Sequence, residues 1–116
     1  MYGDLMIRDI KVIKLNDSKE YFEGDERCNL YVKTDKIVFG TSYLETGEEG
    51  VIDPGHKYGE EIFFIAKGNV TCEFSRMIKN LEEGDVVIIP VGEPHKLINK
   101  SKKPALVCWT LTPPDD

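Results

Sequence analysis

The sequence predicts an all-β domain, folded as an antiparallel sandwich or barrel. Two observations carry this. There are roughly nine or ten short segments rich in β-branched and aromatic residues, set apart by turn signals every eight to twelve residues, and nowhere is there an amphipathic helical period. At 116 residues the chain is long enough to bury one core and too short for two, so residues 1–116 are expected to form a single domain.

In chain order, residues 6–15 (MIRDIKVIKL) alternate apolar and polar side chains and predict an entering strand. Residues 16–27 gather turn formers, which predicts a loop with a short strand around Tyr21 and Phe22, and residues 1–25 as a whole an N-terminal arm. Residues 28–33 and 36–44 read as strands joined at Thr34-Asp35, and residues 45–50 as a turn cluster. The apolar run 61–67 (EIFFIAK) then reverses at Gly68-Asn69 into residues 70–75, expected as its hairpin partner. Residues 77–81 are a short segment. Beyond the turn at Gly84, Val86–Ile89 reads as the clearest buried strand of the chain. Pro90 ends that strand by removing a ladder donor, and Gly92 permits the bend before residues 95–99 leave in the other direction. Ala105–Thr112 would close the sheet, with residues 113–116 (PPDD) as a tail that packs on nothing.

Composition excludes several classes of function. A formal net charge of −6 argues against binding a phosphate backbone, which needs a basic face, and the cluster Lys96, Lys100, Lys102 and Lys103 reads as a solvated turn. No apolar run approaches the roughly 20 residues that cross a bilayer, and the start MYGDLMIRDI is acidic where a signal peptide is basic and then apolar. No nucleic acid or membrane partner is therefore expected, and the cytoplasm is the expected location. Cys28, Cys72 and Cys108 stand far apart with no C-x-x-C pair, as reduced thiols packed like small apolar groups would.

Both histidines fall in two ordered blocks. The first, at 50–68, has Gly50, His56, Tyr58, Glu61 and Gly68 at its fixed points. The second, at 84–99, has Gly84, Pro90, Gly92, His95 and Asn99. If the blocks converge, His56, Glu61 and His95 supply two imidazoles and a carboxylate, the facial set suited to ferrous iron and also to manganese, nickel or zinc. By strand parity Phe63 and Ile65 share a face with Glu61, and Leu97 shares one with His95, which makes an apolar wall around a small ligand together with Tyr58 at the barrel mouth. Tyr58 and Glu60 are the candidates for moving a proton, although Glu60 neighbours Glu61 and by parity points the other way. Ile62 and Phe64 also face away, toward a second copy of the chain or a covering N-terminal segment.

These blocks resemble the two motifs of the cupin family. The second matches at every fixed point. The first departs where the family has another histidine, at position 58 or 57, which here are Tyr58 and Lys57. The resemblance implies a cupin-type double-stranded β-helix, or jelly-roll barrel, that is often a homodimer. It also implies a divalent metal at the mouth, here with a reduced ligand set of His56, Glu61 and His95. The expected activity is binding and transformation of a small oxygenated metabolite such as a sugar, uronate or keto acid, by isomerase, lyase or oxygenase chemistry. A metal-free binding or sensor barrel, or a metal-free sugar epimerase using His56 as base and Tyr58 as acid, stands as the alternative.

Overall fold

A computed structural model describes residues 10–115. After a 3₁₀ turn at Leu15–Asp17 come nine strands: β1 (Lys19–Glu23), β2 (Glu26–Lys33), β3 (Val38–Leu44), β4 (Glu60–Lys67), β5 (Val70–Phe74), β6 (Ile78–Leu81), β7 (Val86–Ile89), β8 (His95–Ile98) and β9 (Ala105–Thr112). They form two antiparallel sheets, one in the order β1-β2-β3-β9-β4-β7 and one in the order β6-β5-β8. The expected all-β fold is what these strands build.

Alternation decides what the sheets bury. Along β9, Ala105, Val107, Trp109 and Leu111 point inward, and the same row continues through Phe63 and Ile65 of β4 and Ser42 and Leu44 of β3. Val70, Cys72, Leu81 and Leu97 close it from the smaller sheet. Each fully buried apolar side chain of this size stabilises the fold by about 1.5–3 kcal/mol. The barrel interior also holds a polar chain: Trp109 Nε1 donates to Ser42 Oγ at 2.9 Å, and Ser42 donates to the buried carboxylate of Glu26. Burial above all lifts Glu26 from the ordinary carboxylate range, against the bond from Ser42.

The structure corrects several expectations. The short strand expected around Tyr21 and Phe22 is present as β1. Lys19–Glu23 pairs along its length with β2, Tyr21 packs against the core, and β2 begins at Glu26 rather than at 28. Residues 10–14 are not in a strand, and the start of the strand expected over 6–15 lies outside the described residues. Residues 61–67 and 70–75 do not form a hairpin. Both edges of β4 are taken by β9 and β7, and a bulge between Ile65 and Lys67 turns the chain out of that sheet into the other. Val86–Ile89 is an edge strand, with Val86 and Ile88 exposed next to Phe64 and Ile62 in register. The tail packs after all: Pro114 is buried and Asp115 makes specific contacts. Among the described residues no helix is long and apolar enough to cross a membrane.

Candidate metal centre

Four side chains from two parts of the chain converge at one end of the barrel: Asp53, His56 and Glu61 from one segment and His95 from another, with one donor atom of each within 4.8 Å of the others. Glu61 is the second residue of β4, and inward parity buries it. His95 opens β8 and is also buried. Asp53 lies in extended chain paired with His95 by two backbone hydrogen bonds, 2.8 Å from Asp53 N to His95 O and 3.0 Å in the other direction, so their side chains share a face. His56 follows on the loop before β4.

The hydrogen bonds define which ring nitrogens face inward. His95 Nδ1 lies 2.9 Å from the Glu93 carbonyl, and His56 Nδ1 lies 2.9 Å from Asp115 Oδ2. Both partners only accept, so each Nδ1 carries the proton and donates it, which leaves Nε2 as the free donor atom of the neutral ring. The two Nε2 atoms stand 3.1 and 3.0 Å from Glu61 Oε1, and 3.6 Å each from Asp53 Oδ2. Acceptors therefore face acceptors, an arrangement that requires positive charge among them.

Protons can supply that charge. The bond to Glu61 first, then Asp115 and the nearby negative charges, raise His56 to about 9 against the lowering effect of burial. At His95 burial is the largest effect and lowers the pKa. The bonds to Glu61 and Glu93 and the charges of Glu61 and Asp53 outweigh it, and the net shift is upward. Glu61 is held below its ordinary range by the two imidazoles, despite burial.

A divalent cation can supply the charge instead, and the donor set fits one. Adjacent ligands at about 2.1 Å from an ion are about 3.0 Å apart in an octahedron and somewhat farther in a tetrahedron. The separations of 3.0 and 3.1 Å from the imidazoles to Glu61 fall in that range, and those of 3.6 Å to Asp53 lie slightly beyond it. Each of the two rings also has its other nitrogen anchored, as metal-bound histidines generally do.

Of the residues singled out from sequence, the structure thus brings His56, Glu61 and His95 together. Phe63 meets the site edge-on, its ring 5.5 Å from that of His95. Ile65 and Leu97 lie in the core behind it. Tyr58 and Glu60 are not brought in: Tyr58 is 64% exposed on the loop, and Glu60 points outward from β4 as its parity dictates. Sequence reasoning missed Asp53, Asp115 and Glu23. Glu23, at the exposed end of β1, pairs in register with Glu26, and partial burial of its carboxyl first and then the charges of Asp53 and Glu61 raise its pKa. For Asp53, the signal available was a carboxylate three residues before a candidate ligand.

A two-sheet antiparallel barrel with imidazoles and carboxylates gathered at one end defines a protein of the double-stranded β-helix class. The chain belongs to the cupin family: the family model described as Cupin domain matches residues 40–111. A vicilin of Juglans regia is 36% identical over 72 residues, covering 59% of this chain but only 14% of the vicilin. Among solved structures, a sugar phosphate isomerase of the cupin superfamily from Silicibacter pomeroyi superposes with a TM-score of 0.75 at 14% identity, covering 88% of this chain and 75% of that one. A predicted oxalate decarboxylase from Thermotoga maritima gives a TM-score of 0.72 at 15% identity, covering 88% and 98%. Likeness at this level of identity is likeness of fold.

Proposed function

We propose that this cupin holds a divalent metal on Asp53, His56, Glu61 and His95, and uses it to act on a small oxygenated metabolite by isomerase or lyase chemistry. One observation carries the reading: both imidazoles turn Nε2 to the same carboxylate oxygen while each Nδ1 is tied to an acceptor. Bound there, the cation supplies Lewis-acid polarisation of a carbonyl or hydroxyl. The protein's own groups do the rest. Glu61 and Asp53 bring two negative charges that balance a dication, and Phe63 keeps one side of the site apolar. The sugar phosphate isomerase of Silicibacter pomeroyi, alike in fold, supports a sugar or uronate as the substrate class. The exposed row Ile62, Phe64, Val86 and Ile88 supports a homodimer through that face, which light scattering of Phe64→Arg against wild type would test.

The deciding experiment is elemental analysis of protein purified without chelator, followed by titration with iron(II), manganese, nickel and zinc. Stoichiometric binding that is lost in His95→Ala supports the reading, and no binding of any of the four sinks it. A second reading, a metal-free binding barrel, is favoured by the fact that a protonated His56 satisfies Asp115 and Glu61 without any ion. In that case sugars or keto acids would raise the melting temperature of EDTA-treated protein as much as that of untreated protein.

A further inference from the structure

The two imidazoles of the cluster are held in different ways. His95 takes its orientation from its own turn, because its Nδ1 partner is the carbonyl of Glu93, two residues away. His56 lies on a loop outside the strands, and its Nδ1 partner is 59 residues away at Asp115. Asp115 grips that loop with both oxygens: Oδ2 takes the imidazole, and Oδ1 accepts the backbone N–H of Lys57 at 2.8 Å.

The fold builds a path for this contact. Thr112 pairs with Glu60 at the end of the sheet. Gly59 then lies so close to the Thr112-Pro113 backbone that any Cβ there would overlap the Pro113 carbonyl oxygen. Beyond it the buried Pro114 sets Asp115 over the loop.

We propose that Asp115 is a positioning residue for the metal site: by holding the Nδ1 proton of His56 it fixes the tautomer and ring angle that present Nε2 to a divalent cation beside Asp53, Glu61 and His95. This rests on the metal-binding reading above and assigns the segment after β9 a role in it. His95 is oriented locally, whereas the His56 half of the site is complete only when that segment is docked. Removing such an anchor typically weakens metal affinity by about 10–100-fold.

The test uses zinc, which is diamagnetic. Its affinity is measured by competition with a chromophoric chelator for wild type, Asp115→Asn and Asp115→Ala, and long-range proton–nitrogen NMR then reads both histidines in the zinc-loaded proteins. In wild type, His56 carries its proton on Nδ1 and shows a metal-shifted Nε2. In Asp115→Ala the affinity falls by at least about tenfold, and the fixed Nδ1 proton of His56 is lost while the His95 signals stay in place. Asp115→Asn keeps an acceptor without the charge, and falls in between. If Asp115→Ala fails to fold, the asparagine variant decides alone: affinity within twofold of wild type overturns the proposal. Unchanged affinity and unchanged His56 signals in both variants would show an ordinary surface contact. If wild type binds neither zinc nor the other three metals, the metal reading fails, and this proposal with it.

Discussion

The rings of His56 and His95 stand 5.9 Å apart, tilted by 44°, and reach the same oxygen of Glu61 from two directions. Neither is adjacent to the other in any sheet. A loop brings one and a strand end the other, so the pair exists only in the folded barrel.

Ligand removal should follow burial and distance. His95 is 4% exposed and 3.0 Å from Glu61, whereas the Asp53 side chain is 34% exposed and stands 3.6 Å from either Nε2. Asp53→Asn is expected to weaken zinc by about tenfold, and His95→Ala by about 100-fold or more. Isothermal titration of both variants checks the order. A larger loss at Asp53 would make the carboxylate, not the imidazole, the principal ligand.

Stability of the metal-free protein should fall on the alkaline side. The folded pKa of His56, about 9, lies above its ordinary 6.5, so its contribution is fully present below pH 6.5 and is lost as pH rises through 9. Glu61 is shifted the opposite way, so its contribution is present above the ordinary carboxylate range and lost as pH falls through its lowered folded value. With Asp115 39% exposed, solvent screening cuts the His56 share to on the order of 1–2 kcal/mol. Urea unfolding of EDTA-treated protein at pH 6 and pH 10 measures it, and His56→Gln should flatten the difference.

Glu26 is expected to cost stability near neutrality. Burial raises its pKa, so the folded state binds its proton more tightly than the unfolded chain does. Stability from this group is greatest below the ordinary carboxylate value and declines as pH rises through the raised one. Glu26→Gln keeps an acceptor for Ser42 and removes the charge, so its stability relative to wild type should improve from pH 4.5 to pH 8. A relative stability that worsens over that range would mean Glu26 is ionised and favourably held.

Gly40 should not tolerate a methyl group. A Cβ there would lie 2.5 Å from Cζ2 of Trp109 and 2.6 Å from the Asn29 carbonyl, and the indole is pinned by its bond to Ser42. Gly40→Ala is expected to cost about 3 kcal/mol, a melting temperature lower by on the order of 10 °C. Trp109 is the one tryptophan of the sequence, so its fluorescence should shift to the red as the ring loosens.

The strands were legible where the pattern is local. β3, β4 and β9 follow from runs of β-branched and aromatic residues, and the spacings around His56, Glu61 and His95 named three residues that do meet. What escaped depends on long-range pairing. Gly68-Asn69 reads as a hairpin turn, but a turn says nothing about whether β4 has a free edge, and it has none. Val86–Ile89 reads as buried because every residue is apolar, yet half of them face out at a sheet edge. Asp53 enters the site by pairing with His95, and Asp115 by following β9 past Gly59, and neither leaves a period in the sequence.

The position of β9 between β3 and β4 has a consequence for how the molecule assembles. On a ribosome, β1, β2 and β3 can zip up as they emerge, since each pairs with its neighbour in sequence. The β4–β7 half must wait, because its only link to them in that sheet is the strand synthesised last of the nine. Closure of the larger sheet is therefore a late step between distant segments, of the kind that makes β proteins slow to fold. A nascent chain stalled before residue 105 would carry its first meander without the sheet that completes it.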